Sequence, residues 1–227
     1  MSKRTITQTA EDVEEYVEER AAKTGNFWAD NQKLIMYGIF AILLAAAGWL
    51  VYKNYFVGTR QQEALQQMYQ AEYMFERDSF KLALENPGGG NKGFLAIAKD
   101  YSGTEAANAA SYYAGICFLN LGQFDQAIKY LEDCSPDGKV VPMMRNALLG
   151  DAYSEKKEFD KALSYYQKAA AGGGSDMLAS LNLYKLGLLQ LKQNKTKEAV
   201  ATFKEIKSKY PNTPSGRDID KYIVRYE

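Results

Sequence analysis

The sequence predicts an all-α protein, a single N-terminal transmembrane helix followed by a solenoid of repeated helical hairpins. Three observations predict it. An uncharged apolar run of bilayer length sits between two lysines near the N-terminus. The C-terminal half repeats itself at intervals of 35 and 37 residues. Apolar side chains recur at helical spacing through both the repeats and the stretch that leads into them.

Residues 1–33 form an N-terminal tail. Within it EDVEEYVEER, from Glu11 to Arg20, places Val13, Tyr16 and Val17 on one helical stripe with acids on the other sides. This reads as a short solvated juxtamembrane helix or as a docking peptide for a cytoplasmic or membrane partner. Its acidity argues against adhesion to an anionic leaflet.

The span runs over residues 34–52, LIMYGIFAILLAAAGWLVY, bracketed by Lys33 and Lys53. As a helix rising about 1.5 Å per residue it covers ~28 Å, the thickness of a hydrocarbon core. Nine of its 19 residues are Leu, Ile, Phe or Val, each favouring insertion by roughly 0.3–0.6 kcal/mol, and there is no charge to offset them. Tyr37, Trp49 and Tyr52 stand toward its ends, where aromatic rings prefer the headgroup region. A buried globular helix and a cleaved signal peptide are the alternatives. The run is longer than the ~7–15 residues of a signal h-region, and the tail before it is long, so an uncleaved anchor fits better. Arg20, Lys23 and Lys33 precede the span and Lys53 and Arg60 follow it, which favours a cytoplasmic N-terminus and a repeat domain outside the cytoplasm.

Residues 53–107 read as membrane-proximal helices forming a degenerate repeat. Gln61 to Glu85 is expected to be one long helix with Ala64, Met68, Ala71 and Phe75 on a stripe. Phe94, Ile97, Ala98 and Tyr101 mark a second helix after the loop NPGGGNKG. That loop lacks the Ser or Thr after lysine that would hold magnesium and follows no strand, so it is not a phosphate loop.

Residues 108–213 hold three repeats. GICFLNLGQFDQAIKYLEDC starts at Gly115, GDAYSEKKEFDKALSYYQKA at Gly150 and GLLQLKQNKTKEAVATFKEI at Gly187; Ala127, Ala162 and Ala199 keep the same two intervals as the glycines. A small residue late in helix A and an alanine in helix B belong where two antiparallel helices approach closely, and each hairpin then buries its remaining apolar face on the next. Phe118, Phe124, Leu131, Tyr153, Phe159, Tyr166, Leu191 and Phe203 supply that face. Gly122 suits the turn between helices A and B, whereas Lys157 and Asn194 replace glycine there and Thr196 replaces an aromatic. Residues 214–227 are expected to form a C-terminal capping helix.

Composition bounds the chemistry. The chain has no histidine, two cysteines, and 28 basic against 28 acidic residues. The usual general base and the commonest transition-metal ligand are absent. No nucleophile–base pair, metal cluster or phosphate loop stands out, so no catalytic residue, metal or cofactor is assigned and the chain does not read as an enzyme. Asp151 and Glu155 read as a solvated helix face. Balanced charge without a basic, aromatic-interleaved run points away from nucleic acid. Cys117 and Cys134 read as small buried residues on neighbouring helices, with a disulfide as the alternative.

The repeated glycines, alanines and aromatics, with Pro211 after the third unit, resemble the tetratricopeptide family. That resemblance implies a concave groove lined by helix A. Its predicted lining is Tyr112, Tyr113 and Ile116, then Met144, Leu148 and Asp151, then Leu181, Tyr184, Lys185 and Leu188. The face is apolar and aromatic, suited to extended polypeptide or an amphipathic helix. The alternative is that some of these side chains are intramolecular core or covered by the first helix. Only Lys185 matches the basic clamp of family members that hold chaperone carboxylates, which disfavours a co-chaperone of that kind.

The order of parts, and FWADNQKLIMYGIFAILLAAAGWLVYKNY with Asn31, Lys33, Gly48 and Trp49, resembles the YfgM-like family of ancillary subunits of the bacterial Sec translocon. The resemblance implies a single-pass protein of the bacterial inner membrane with a periplasmic repeat domain. Its implied partners are membrane lipid, exported polypeptides, the SecYEG channel and a membrane-anchored prolyl-isomerase-like chaperone. A scaffold subunit of another envelope secretion or assembly complex is the alternative.

Overall fold

The structure, a computed structural model, describes residues 31–52 and 57–227. The tail segment Glu11–Arg20 lies outside the described residues. Two units divide the chain, Met1–Phe56 and Val57–Glu227. The first contributes helix α1, Asn31–Val51, which starts three residues before the predicted span and is apolar enough to cross a membrane, with none of its length buried in protein. A soluble helix this apolar would bury one face; Leu34, Ile42, Leu43 and Trp49 all stay exposed.

The second unit is all-helical among the described residues. Its helices are α2 (Gly58–Glu76), α3 (Phe80–Glu85), α4 (Phe94–Asp100), α5 (Glu105–Asn120), α6 (Phe124–Asp133), α7 (Val140–Glu155), α8 (Phe159–Ala170), α9 (Asp176–Lys192), α10 (Thr196–Lys209), α11 (Pro214–Asp218) and α12 (Asp220–Tyr226). Pairs α5–α6, α7–α8 and α9–α10 are the three hairpins the sequence predicts. Their starts follow local chemistry. Thr104 and Ser175 cap α5 and α9 by accepting from the amides of Ala107 and Leu178, and Glu105 and Asp176 place acid in the first turns, where the helix dipole favours it.

The hairpins close around glycine as expected. A Cβ on Gly115 would lie 2.5 Å from Leu131, on Gly150 2.6 Å from Tyr166, and on Gly187 2.3 Å from Phe203. In each unit the missing side chain admits the large residue four positions beyond the alanine of helix B.

One turn geometry joins the helices of every hairpin. Gly122, Lys157 and Asn194 all adopt positive φ, at 70°, 62° and 60°. The amide after each donates to the carbonyl five residues back, Gln123 to Phe118, Glu158 to Tyr153 and Lys195 to Gln190. This is the Schellman closure of a helix C-terminus. Lysine and asparagine therefore hold the conformation that glycine adopts without strain.

The stretch read as one helix from Gln61 to Glu85 is broken. Asp78 adopts φ of 55° and Ser79 donates to the Met74 carbonyl, so α2 and α3 are joined by the same turn as the other three pairs. Phe80 and Ala83 repeat Phe124 and Ala127. This first hairpin differs most in its helix B, which the loop NPGGGN splits into α3 and α4. Gly93 makes the split possible, since a Cβ there would sit 2.3 Å from the Leu84 carbonyl oxygen.

Successive A helices pack directly, α2 on α5, α5 on α7 and α7 on α9, while successive B helices do not pack on one another. The stack is therefore tighter on the A side, and that side is concave. At the C-terminal end the expected cap is two short helices. Thr213 and Pro214 start α11, and Ile219, between α11 and α12, packs with Ile223 of α12 in the core of the last hairpins.

Candidate partner-binding face

Counting back from the positive-φ residue of each turn aligns the four A helices. Thirteen positions before it stand Leu65, Ala109, Met144 and Leu181. Three of these are large and apolar, and they are 46%, 40% and 39% exposed respectively, although apolar. Six positions before the turn stand Glu72, Ile116, Asp151 and Leu188, of which Ile116 is half-buried and Leu188 is exposed. Identical repeat positions point the same way, so Leu65, Met144 and Leu181 form a row on the concave side, with Ile116 and Leu188 beside it.

The remaining predicted groove residues fall into three situations. Tyr113 belongs to the core: its ring stacks on Phe94 at 5.2 Å and meets Phe75 edge-on, joining the first hairpin to the second. Tyr112 and Leu148 are half-buried and pack against the core of the later hairpins. Burial pushes the Tyr112 phenol up to about 12. Tyr184 is covered by the cap, where its hydroxyl bonds that of Tyr222 and its ring meets Tyr222 at 5.4 Å. Burial first, then the Tyr222 hydrogen bond, pushes its phenol up to about 12.

Asp151 and Lys185 are paired. Lys185 Nζ lies 2.8 Å from Asp151 Oδ1, and the Tyr166 hydroxyl donates to the same oxygen at 2.8 Å. Asp151 is thus part of a bridge from α7 to α9 rather than a solvated acid. Burial, with the Asp151 carboxylate beside it, holds the Tyr166 phenol far above its usual range. The bridge leaves no uncompensated charge on the concave face at this point.

Two shallow pockets of about 240 Å³ each open beside these residues. One is lined by Leu181, Tyr184, Pro214 and Tyr222, and the other by Asp151, Tyr166, Lys185 and Leu188. Each is the size of one large side chain. The structure thus brings Met144, Leu181, Leu188, Asp151 and Lys185 together with Ile116 on one face, withdraws Tyr113 into the core, and leaves Tyr184 half-buried against the cap at the edge of that face. Leu65 and Tyr222 escaped the sequence reading. The motif Phe80–Ala83, matching Phe124–Ala127, was the signal that would have placed α2 as an A helix and Leu65 in the row.

Residues 109–135 and 182–213 match one profile described as tetratricopeptide repeat, and residues 147–178 match a second of the same description. The chain carries tetratricopeptide repeats. The matched segments coincide with the second, third and fourth hairpins, and the Gly115–Leu131, Gly150–Tyr166 and Gly187–Phe203 contacts are the close approaches that define their packing. No curated protein matches the chain. Tetratricopeptide repeats serve protein–protein interaction and typically carry no catalysis, and the exposed apolar row on the concave side is the arrangement such recognition uses.

Proposed function

We propose that this is a single-pass inner-membrane protein whose periplasmic tetratricopeptide domain sits at the exit of the Sec translocon and helps hand emerging polypeptides to folding factors. The observation that carries the reading is the row Leu65, Met144 and Leu181. Apolar side chains are left in water at the same position of three different hairpins, which suits a ligand presenting apolar groups along an extended length. The Asp151–Lys185 bridge neutralises the centre of the face, so recognition depends on buried apolar area, at about 25 cal/mol per Å², rather than on charge.

Helix α1 supports the anchor, and the resemblance around Asn31, Lys33, Gly48 and Trp49 supports the translocon and a membrane-anchored prolyl-isomerase-like chaperone as partners. The protein acts by binding, without a cofactor.

The test places a photo-crosslinking amino acid at Met144 or at Leu181 in the full-length protein in its native membrane. Crosslinks to many exported chains, with SecYEG and periplasmic chaperones recovered in mild detergent, are the expected result. A single envelope protein recovered at constant stoichiometry from both positions would replace this reading with a fixed scaffold.

A further inference from the structure

The apolar row of the A helices continues for one more turn in only two of them. Seventeen positions before the turn residue, one helical turn from the row, stand Gln61, Glu105, Val140 and Met177. Residues four apart share a helix face. Gln61 is already engaged, accepting from the Ala106 amide, and Glu105 is charged. Val140 and Met177 are apolar and exposed, Met177 to 60%. The neighbouring helices α7 and α9 therefore present Val140 with Met144 and Met177 with Leu181, four exposed apolar side chains at the corners of one patch, and Val141 widens it. One helical turn sets one edge of the patch at about 6 Å. The packing of α7 on α9 sets the other at roughly 8–10 Å.

The boundaries of the patch limit what fits it. The Asp151–Lys185 bridge crosses from α7 to α9 one turn beyond Leu181. On the side of the second hairpin the same positions hold Glu105 and Ala109, so the apolar surface ends there. On the side of the cap, Leu181 forms one wall of the pocket of about 240 Å³ that Tyr184, Pro214 and Tyr222 complete. The open stretch of α9, from Met177 to Lys185, is ~12 Å long. A helical ligand confined to that length has about two turns, and isolated helices shorter than ~12–15 residues are marginal in water. An extended segment of about four residues spans the same distance, and its alternate side chains, ~7 Å apart on one face, match the shorter edge of the patch.

Composition and area narrow the ligand further. No charge stands among Val140, Val141, Met144, Met177 and Leu181, and the charged residues lining the pocket, Asp218 and Lys221, are of opposite sign. A neutral, apolar segment suits this ground. Two of the four corners are methionine, whose unbranched, polarizable side chain repacks around partners of different shape, a property of surfaces that accept many sequences. Five partly exposed aliphatic side chains offer area on the scale of the largest apolar patch of an ordinary monomer, roughly 300–600 Å². That is below the roughly 800 Å² per partner of a stable protein interface, which argues against a second copy or a permanent partner.

We propose that the patch of Val140, Met144, Met177 and Leu181 is where the domain grips non-native polypeptide, taking a neutral extended segment of about four residues with large apolar side chains at alternate positions. One of those side chains enters the pocket between Leu181 and Tyr222. The grip reads apolarity rather than sequence and releases readily. This deepens the reading of the domain as a receiver of emerging chains and rests on it.

The test uses the full-length protein held in amphipol, so that no free micelle competes for the probe. The probe is a fluorescein-labelled peptide in which leucine and phenylalanine alternate with serine, and binding is read by anisotropy. Met144→Glu with Met177→Glu is expected to weaken binding at least tenfold, whereas Leu82→Glu, an exposed apolar position on α3 of the first hairpin, is expected to change it less than twofold. Should the double variant melt lower than the parent, Met177→Gln alone carries the same test, with an expected loss of at least threefold. Probes with valine or methionine in place of leucine are expected to bind within threefold of the first, and the same residues rearranged to helical spacing at least fivefold more weakly.

Binding that survives the substitutions at Met144 and Met177 would overturn the proposal, as would equal binding of the helically spaced probe. A more than tenfold preference among the apolar probes would assign the patch to one specific partner instead. A dimer seen by light scattering in the unliganded protein and dissolved by Met177→Glu would assign it to a second copy. Probe binding without recovery of SecYEG from the native membrane would keep the grip and remove the translocon; SecYEG recovered with protein that does not bind the probe would do the reverse.

Discussion

The two ends of the repeat stack solve the same problem differently. At the C-terminal end the chain covers itself: Ile219 is fully buried, Ile223 nearly so, and Tyr222 packs on Tyr184 and Phe203. At the N-terminal end Tyr69 and Tyr73 remain exposed. A stack of hairpins always has two unsatisfied terminal faces, because each hairpin can bury its flank only on a neighbour. The contrast shows that a terminal face can be closed within the chain or left for the surroundings, and that the residue types differ accordingly. Aliphatic isoleucine seals the closed end, and tyrosine, tolerant of water at its hydroxyl, occupies the open one.

The largest effect that would test this contrast is at the closed end. Ile219→Ala removes a fully buried side chain and is expected to cost about 3 kcal/mol, read as a lowered thermal midpoint of the full-length protein in mild detergent. A cost below roughly 1 kcal/mol would mean that the cap is not part of the cooperative fold.

Alkali should act next, at the closed end through Tyr184 and within the second and third hairpins through Tyr112 and Tyr153. The Tyr184 phenol is pushed up to about 12 by burial and by Tyr222, and Tyr112 and Tyr153 are also pushed up to about 12 by burial. In the unfolded chain tyrosine ionises near ~10. The stabilisation is therefore complete below that pH and is lost as pH rises through about 12, because the unfolded state gives up its protons first. Melting curves taken between neutral pH and that range are expected to show the midpoint falling, with a smaller fall in Tyr222→Phe.

Turns sharpen the comparison, since they are alike at both ends. Lys157→Gly relieves a left-handed lysine and is expected to stabilise by about 1 kcal/mol. Asn194→Gly should gain only a few tenths, because asparagine tolerates that conformation. Equal gains from the two would show that the strain at Lys157 is compensated elsewhere. The smallest effect belongs to the open end: Tyr73→Ala is expected to change the detergent midpoint by no more than about 0.5 kcal/mol. A loss as large as that of Ile219→Ala would show the two ends to be equally committed to the fold.

The three later hairpins were legible because their period is carried by small residues that packing cannot replace. Gly115, Gly150 and Gly187 each face a large side chain at under 3 Å from any added Cβ. The first hairpin was harder to read for two reasons. Its small residue is Ala71, which looks like any helical alanine, and its turn is made by Asp78, which leaves the apolar stripe Ala64–Phe75 looking continuous with α3. The sequence pattern records which residues favour a helix, and a Schellman turn interrupts one with a single dihedral. On the concave side, helical spacing placed Met144, Leu181 and Leu188 correctly on the A-helix surface. It did not reveal that Tyr113 and Tyr184 are claimed by Phe94 and Tyr222, because those contacts join positions far apart in the chain. Nor did it pair Asp151 with Lys185, 34 residues away.

That pairing has a thermodynamic consequence. Where the acid and base between α7 and α9 already satisfy each other, little free charge is left there to exchange for counterions when a ligand arrives. Association at Met144, Leu181 and Leu188 should then be nearly indifferent to ionic strength and should show a negative heat-capacity change in calorimetry, the mark of apolar surface leaving water. In a compartment whose salt content follows the surroundings, such a grip would hold equally well in dilute and in concentrated medium.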